Sequence, residues 1–541
     1  MKPFPEAPAM EKPPATGPKT PAPAVFCRRR LRWRYVLGAA TAIYVLYRYA
    51  FSLPLLARPL PPYSGPYAVG AVDIEVPVAE PRVIDGAVFK DTEENAFELE
   101  SVLFTLYYPT TTTPDVDTRP KSKHHHHHYW VPQPISATGR GYAKFAGIDG
   151  FFFLDKVVTA GLWALVGGIE IPAVVDAPLA DLAAAVSAAV EEEEEEDMTE
   201  VRKVVHIQKR GHPVVVFSHG MASRRADYSH YAGELASRGY VVAVLEHRDG
   251  SSPGSVVLTR PGDREDRVRL MFDAPEVQTT AKPGARTLTV DEFKRAQLEY
   301  REAEMEEAVR VLRRINEGDG SAVRKENARG EGSDLASWKG RLNTEEMVVA
   351  GHSYGATGAM QALRGGPSVE RPFRGAVILD PGKASGRLND DVRVPVLVVH
   401  SNSWSAKRSV FYGRPHFDTV FDIVENNVLR GVPSWFATSL GTAHPSVTDA
   451  PLLEPLLLSW TTGARIDVDE GLRQYVHVTE DFLWFLTTGE KRSLLAEKAE
   501  FPQYDEGSGF GMWKPGQNGS VDVEGPWDDW RKYWQVHISP N

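Results

Sequence analysis

Short apolar runs that alternate with helical patterns constrain the fold of this chain more than any other feature of its sequence. A long helical pattern at residues 291–318 separates two such runs, and shorter helical patterns lie at residues 227–239 and 356–364. Strands buried on both faces read as continuous apolar runs because helices cover the sheet. The sequence therefore predicts an α/β fold with a mostly parallel central sheet and helices on both faces. The runs that carry this prediction lie at residues 213–220, 240–251, 375–380 and 394–401.

The pentapeptide "GHSYG" at residues 351–355 lies where an apolar run gives way to a helical pattern. In a G-x-S-x-G turn between a strand and a helix, the glycines permit close backbone approach and the serine hydroxyl is exposed above the sheet. The N-terminus of the helix also directs free amides and a partial positive charge towards the reacting atoms. We therefore predict that Ser353 is a nucleophile, the alternative being a tight packing turn.

A serine nucleophile needs a base, which in folds of this kind follows the serine and the acid in the chain. His444 stands in "SWFATSLGTAHPSV", a strand-like run that ends in a loop of small residues. Such a loop lies at the edge of the sheet where the serine is expected, so we predict His444 as the base. His400 ends an earlier strand, His416 lies in a loop, and His477 lies in a later helix or strand.

The acid that orients the base is predicted to be Asp380. This residue closes "GAVILD", the strand that directly follows the serine turn and its helix. Many hydrolases carry the acid after the next strand instead. Here that strand is followed by no carboxylate until Asp418, and this absence favours Asp380.

The oxyanion of an ester intermediate is predicted to bind two backbone amides. One belongs to Tyr354, directly after the nucleophile. The other belongs to Met221, in the loop after "VVVFSHG", whose alternative reading is a plain turn at a strand end. Because both donors are main-chain groups, their side chains are expected to matter little.

The sequence predicts no metal and no cofactor, because no histidine and carboxylate cluster has convincing metal spacing. The run His124–His128 lies in a loop rich in proline, threonine and lysine, where adjacent imidazoles have no fixed geometry. The acidic run at residues 191–197 is predicted to be a solvated loop or helix end.

Charge and cysteine content exclude some classes of protein. The chain has 72 acidic and 61 basic residues, a formal net charge of -11, whereas nucleic-acid binding calls for a basic face. We therefore predict no nucleic-acid partner. The single cysteine, Cys27, cannot form an intrachain disulfide and does not indicate the redox compartment.

The N-terminal region is predicted to anchor the protein in a membrane. Residues 1–34 form a proline-rich basic tail predicted to be disordered, and the apolar stretch at residues 35–57 is long enough to cross roughly 30 Å of hydrocarbon. The basic flank predicts a cytoplasmic N-terminus and a lumenal or extracellular catalytic body. Arg48 interrupts the stretch, and a cleaved signal peptide or an amphipathic surface helix are the alternatives.

A catalytic domain is predicted over residues 60–490, followed by a C-terminal extension at residues 491–541. Residues 151–175 are apolar but too interrupted for a confident second membrane span, and fit either a core helix or a lid or interface-binding segment. Low-complexity insertions, read as loops, are predicted at residues 110–128, 190–200, 260–290 and 318–337.

Several segments resemble the platelet-activating factor acetylhydrolase family, in its plasma and intracellular type II branch, over residues 63–490. They are "SGPYAVGAVDIEV", "PVVVFSHGMASRRADYSHYAGELASRGYVVAVLEHRDGS", "GHSYGATGA", "GAVILDPG" and "TAHPSVTD". The resemblance implies an α/β-hydrolase that acts, without calcium, on phospholipids with a short or oxidised sn-2 acyl chain. It also implies the same roles for Ser353, Asp380, His444 and the amides of Met221 and Tyr354.

The sequence departs from the family pattern at two places, and the second bears on substrate identity. Ala356 replaces the second of two glycines after the serine turn, which leaves the chemistry intact. The segment "PGKASG" after Asp380 is less apolar and aromatic than in relatives, and it affects the expected shape of the acyl pocket. The expected function is hydrolysis of short sn-2 esters at a membrane surface, the alternatives being another carboxylesterase or lipase, or an inactive binding module.

Overall fold

The computed structural model describes most of the chain as two compact units, Met1–Leu55 and Leu56–Asn541. The described residues are 25–50, 57–112, 127–151, 153–181, 210–262, 267–407, 409–455, 461–505 and 532–541.

The first unit contains the helix α1 (Val25–Ala50). Among the residues that the structure describes, no helix is both long enough and apolar enough to cross a membrane. The predicted transmembrane anchor at residues 35–57 is therefore wrong, and so is the single-pass localisation with a cytoplasmic N-terminus and a lumenal or extracellular body. The physical reason is composition, because arginines flank the stretch and its tyrosines, alanines and glycine contribute little transfer free energy.

The boundaries predicted for this region also change. The helix begins at Val25, inside the segment predicted to be a disordered tail, so residues 25–34 are helical. Residues 1–24 of that tail and residues 51–56 of the predicted anchor lie outside the described residues.

The second unit is built on a ten-stranded sheet and also contains three two-stranded sheets. The strands in chain order are β1 (Ala68–Val83), β2 (Val88–Phe89), β3 (Glu98–Thr110), β4 (Val174–Val175), β5 (His212–Ser218), β6 (Val241–Leu245), β7 (Gly254–Val256), β8 (Val268–Leu270), β9 (Val277–Gln278), β10 (Leu342–His352), β11 (Phe373–Leu379), β12 (Val396–Ser401), β13 (Val410–Phe411), β14 (Arg414–Pro415), β15 (Ser434–Ser439) and β16 (Trp534–Ile538). The large sheet has the order β16-β15-β12-β11-β10-β5-β6-β3-β1-β4.

The middle of this sheet is a continuous parallel block, as predicted from the apolar runs. Strands β6, β5, β10, β11, β12 and β15 pair in parallel, while β3 and β16 join the block antiparallel at its two sides. Because the carboxyl ends of parallel strands meet at one edge of a sheet, the loops after β5, β10, β11 and β15 converge there. The prediction of a mostly parallel sheet with helices is confirmed.

The helices of this unit connect the strands and cover the sheet. They are α2 (Ile135–Phe145), α3 (Leu154–Val166), α4 (Ser229–Ala236), α5 (Val290–Arg314), α6 (Gly320–Glu326), α7 (Tyr354–Ala362), α8 (Asn402–Ala406), α9 (His416–Leu429), α10 (Ala450–Leu453) and α11 (Val468–Thr488).

The core has two layers, one on each face of the sheet, because side chains alternate along every strand. On β5, Val214 and Val216 point into one apolar cluster with residues of α5 and α7, whereas Val215 and Phe217 point into the other with residues of α4 and α11. All four side chains are at most 1% exposed. Burial on both faces of the sheet explains why residues 214–217 are all apolar.

Two of the predicted insertions contain regular structure. Residues 318–337, predicted as a loop, include α6 and a short helix, Leu335–Trp338, because Val323, Leu335 and Trp338 are buried in the core. Residues 260–290 include the short strands β8 and β9. The remaining insertions lie largely outside the described residues, which omit 113–126 and 182–209 and with them the acidic run.

The C-terminal boundary predicted at residue 490 is corrected too. Strand β16 pairs antiparallel with β15 and forms an edge of the large sheet, so residues beyond 490 belong to the same unit. Trp534, Val536 and Ile538 bury their side chains against the core. A five-residue strand that follows a long polar stretch gives too weak an apolar signal to be recognised from sequence alone.

The apolar segment at residues 151–175 forms α3 and then β4. Only Val166 is buried within α3, so the helix is not a core element. Phe151 and Phe153 just before it and Trp163 within it are 63%, 58% and 54% exposed.

Candidate active site

Ser353 occupies a sharp turn between β10 and α7, at the middle of the parallel block. Its backbone has φ 56 and ψ -119, a strained conformation for a residue with a side chain. The glycines on either side are required by space, since a Cβ on Gly351 would collide with the backbone of Gly355, and a Cβ on Gly355 with the carbonyl of Ser218. The pattern G-x-S-x-G thus follows from how tightly the turn packs against neighbouring backbone.

Three predicted site residues form one hydrogen-bonded chain. Nε2 of His444 lies 3.0 Å from Oγ of Ser353, and Nδ1 of His444 lies 2.8 Å from Oδ2 of Asp380. If the carboxylate accepts from Nδ1–H, Nε2 is left as an acceptor for the serine proton. The arrangement can therefore generate a nucleophilic oxygen at Ser353.

Asp380 is held rigidly at the end of β11. Its side chain is 2% exposed, and its two oxygens accept hydrogen bonds from the amide and the hydroxyl of Ser401, each at 2.6 Å. These bonds fix the carboxylate with one oxygen towards His444. The sequence alternative, Asp418, lies in the first turn of α9.

The loop after β5 lies against the serine. A Cβ built on Gly220 would lie 3.1 Å from Cβ of Ser353, and within the described part of the chain no acceptor is found for the amides of Met221 or Tyr354. Two unpaired amides beside a serine hydroxyl can bind a developing oxyanion.

A tyrosine and a histidine that sequence reasoning did not assign hold this loop in place. The hydroxyl of Tyr228 accepts from the amide of Gly220 at 3.2 Å and lies 2.8 Å from Nδ1 of His352, to which it can donate. Burial, and then the nearby His444, lower the pKa of His352 well below its ordinary value, so its ring is neutral and can accept. The only sequence signal for Tyr228 is its position in the motif after "SHGM".

A buried ion pair supports the same loop from behind. Arg301 and Asp249, both 0% exposed at the side chain, are joined by Nε–Oδ2 at 2.8 Å. Nη1 of Arg301 also donates to the carbonyl of His219 at 2.7 Å, and its guanidinium lies 4.4 Å from the ring of Tyr354. Arg301 was missed because a charged residue in an amphipathic helix is expected on its solvent face.

The site opens into a cavity of about 270 Å³. Its volume is below the roughly 300–1,000 Å³ typical of pockets for drug-sized ligands. Among the residues that the structure describes, no lysine or arginine lines it, and the wall is largely aromatic and aliphatic. The lining residues that bear on acyl binding are Trp130, Tyr142, Met221, Tyr228, His352 and Ala450.

Two clusters of potential metal ligands lie within the described residues, each with ligand atoms within 4.8 Å of one another. One is His352, Asp380 and His444, in which both nitrogens of His444 already face a serine and a carboxylate. That cluster therefore fits proton transfer better than metal binding.

The second cluster joins Asp73 and Glu331 to His128, the last residue of the histidine run. Nε2 of His128 lies 2.9 Å from Glu331, and Arg225 lies 2.5 Å from Asp73. Burial alone would lower the pKa of His128, but the two carboxylates outweigh it and raise that pKa to about 9. A proton and a guanidinium thus balance the two carboxylates, and a metal ion would have to displace the proton and overcome the guanidinium's repulsion.

A mostly parallel sheet with a serine turn after its central strand is the architecture of the α/β-hydrolases. A family profile described as "Platelet-activating factor acetylhydrolase, isoform II" matches residues 184–506. Because this match covers more than half of the chain, the chain belongs to that family, as the sequence motifs predicted.

Individual relatives are distant. The platelet-activating factor acetylhydrolase of Cavia porcellus is 29% identical over 172 residues, which is 31% of this chain and 35% of that protein. A Schizosaccharomyces pombe protein named as a candidate phospholipase A2 is 26% identical over 316 residues, 55% of this chain and 58% of that protein. The chain thus spans about a third of the first of these relatives.

Among solved structures, a ferulic acid esterase from Streptomyces cinnamoneus has a TM-score of 0.45 to this chain at 15% identity. The comparison covers 82% of this chain and 97% of the esterase.

Proposed function

We propose that this protein is a serine esterase that removes a short or oxidised acyl chain from the sn-2 position of phospholipids. The observation that carries the proposal is the hydrogen-bonded chain from Ser353 through His444 to Asp380, beside two free amides. Membership of the acetylhydrolase family supports the substrate class, as does the name of the Schizosaccharomyces pombe relative.

In the proposed reaction, Oγ of Ser353 attacks the sn-2 carbonyl carbon while its proton passes to Nε2 of His444. The oxyanion is held by the amides of Met221 and Tyr354, and the imidazolium by Asp380. Collapse breaks the ester bond, and His444 gives its proton to the departing sn-2 oxygen, releasing the lysophospholipid. Water activated by His444 then hydrolyses the acyl-enzyme, which returns the serine and frees the carboxylic acid.

Chain-length selectivity is expected from the size of the cavity. A cavity of about 270 Å³ that opens to solvent suits an acetyl or short chain, whereas a long acyl chain needs a long apolar tunnel. Each methylene that fails to fit changes discrimination by about 1–3 kcal/mol, so several carbons are decisive. The oxyanion donors are main-chain amides, so the mechanism requires no calcium.

We expect kcat/KM for an sn-2 acetyl phosphatidylcholine to exceed that for the sn-2 oleoyl lipid by at least about 100-fold in the same mixed micelles. EDTA should leave both rates unchanged. The measurement is initial rate against lipid fraction, with the Ser353→Ala protein as the blank. Equal kcat/KM values for the two lipids would contradict the selectivity, and a rate abolished by EDTA and restored by calcium would contradict the mechanism.

We also propose that the protein takes its substrate from a lipid surface through exposed apolar side chains just before α3 and within it. Phe153 and Trp163 project apolar surface into solvent, and α3 packs on α2, whose Tyr142 lines the cavity. Aromatic side chains partition favourably into the interface of a bilayer. The sequence predicts a membrane surface as a partner, and the proposal assigns contact with it to Phe153 and Trp163.

The double variant Phe153→Ser/Trp163→Ser should lower binding to phosphatidylcholine vesicles, and hydrolysis in them, by about 10-fold or more, because two apolar anchors are lost. Hydrolysis of a water-soluble acetate ester should be unchanged. Val369→Ser, which alters another exposed apolar residue, is the matched control. Vesicle flotation that does not distinguish the double variant from wild type would remove α3 as the contact.

A further inference from the structure

Two aromatic rings enclose the imidazole of His444. The indole of Trp404 stacks on it with ring centroids 4.0 Å apart and an interplanar angle of 9°. The ring of His352 lies 4.5 Å away at 39°. Two rings this close cannot share one face of an imidazole, so His444 lies between them. Rotation of the ring out of the line between serine and carboxylate is therefore blocked on both sides.

Trp404 belongs to α8, which also contacts the backbone of His444. The hydroxyl of Ser403, the neighbouring residue, accepts a hydrogen bond from the amide of His444 at 3.0 Å. The indole N–H donates to the carbonyl of Pro381 at 3.0 Å, directly after Asp380. A short helix thus fixes both the ring and the main chain of His444, and is itself tied to the loop that carries the acid.

Lys383 completes this arrangement. Its Nζ lies 4.4 Å from the centroid of the Trp404 ring and donates to the carbonyls of Trp404 and Lys407 at 2.6 and 2.8 Å. Because the imidazole occupies one face of the indole, the ammonium lies against the other. Lys383 lies three residues after Asp380, in the segment "PGKASG", so the loop that carries the acid also supplies this contact.

We propose that Lys383 and Trp404 form a positioning pair that holds the imidazole of His444 in line between Ser353 and Asp380. The inference rests on the proposed function, since it assigns roles around the same base. The indole of Trp404 and the ammonium of Lys383 have opposite effects on the charged form of His444. The indole face attracts an imidazolium, whereas the ammonium on the far face repels it. The pair therefore acts by geometry, and a misplaced base costs rate even when every reacting group is present.

The test compares Trp404→Leu, Trp404→Phe and Lys383→Met in the full-length chain. Trp404→Leu should lower kcat by about 10- to 100-fold with KM unchanged, because the base is loosened while the cavity is untouched. Trp404→Phe, which keeps a flat ring, should recover kcat to within about 3-fold of wild type. Lys383→Met should lower kcat, because the ring loses its anchor. Melting temperatures are measured in parallel.

The direction of the Lys383→Met effect separates geometry from charge. A higher kcat in Lys383→Met would mean that the ammonium only repels the imidazolium, and would overturn the proposal. Equal kcat in Trp404→Leu and wild type, or a loss that Trp404→Phe fails to recover, would overturn it too. Labelling by a fluorophosphonate distinguishes failure of the proposed function: if wild type and Ser353→Ala are both unlabelled, the esterase assignment fails, whereas slow labelling of Trp404→Leu alone supports the pair.

Discussion

Ser353→Ala and His444→Ala are each expected to lower kcat by on the order of 10⁴-fold or more, since each removes one part of a unit that works together. The double variant should be little worse than either single one, because once proton transfer is lost a second loss removes nothing further. Asp380→Asn should also cost orders of magnitude, because an amide can favour the wrong tautomer of the imidazole. The measurement is kcat on an sn-2 acetyl lipid, with KM followed separately.

Asp418→Asn is the matched control for the acid, because it makes the same change at the alternative carboxylate, in the first turn of α9. It should retain activity close to wild type. Near-normal turnover in Asp380→Asn together with an inactive Asp418→Asn would show that the acid is assigned to the wrong residue. Covalent labelling by a fluorophosphonate should occur in wild type and be absent from Ser353→Ala.

The parallel block and the positions of Ser353, Asp380 and His444 were accessible from sequence because each depends on local pattern. A buried parallel strand is a run of apolar residues, so the first polar residues after the run mark its end. Ser353, Asp380 and His444 all follow such ends, at β10, β11 and β15. Chain order left several histidines, among which the loop of small residues at the sheet edge favoured His444, and the lack of a carboxylate before Asp418 favoured Asp380.

The groups that surround these residues could not be predicted, because they come from distant parts of the chain. Trp404 and His352 reach the same imidazole from opposite sides, and Tyr228 reaches His352 across 124 positions. No periodicity links such residues. Only the tertiary structure brings them into contact.

The N-terminal prediction failed for a different reason. The prediction for residues 35–57 rests on the apolar character and length of the stretch and on its basic flank, whereas crossing a membrane depends on summed transfer free energy. Tyrosine, alanine, glycine and threonine lengthen an uncharged run without making it strongly apolar. The length of the stretch therefore overestimates its capacity to cross a membrane.

Arg301→Met should destabilise the protein by about 3–5 kcal/mol, because it leaves the carboxylate of Asp249 buried without a counter-charge. The carbonyl of His219 and the hydroxyls of Ser218 and Ser251 lose a donor at the same time. The effect should appear as a lower midpoint of urea unfolding with an unchanged slope, and as slower fluorophosphonate labelling in the folded protein. The slower labelling follows because the loop that carries the amide of Met221 loses its support.

Arg295→Met is the control for this prediction, since it makes the same substitution on the same helix at a side chain 59% exposed, whose pair with Glu299 is 4.0 Å long. A loose surface pair contributes about 0–1 kcal/mol, so stability and labelling should stay close to wild type. Adding Asp249→Asn to Arg301→Met should recover part of the loss, because the buried charge is then removed as well. If Arg301→Met unfolds at the same urea concentration as Arg295→Met, the buried pair does not stabilise the loop, and the rigidity of the oxyanion amides must come from Tyr228 and His352 instead.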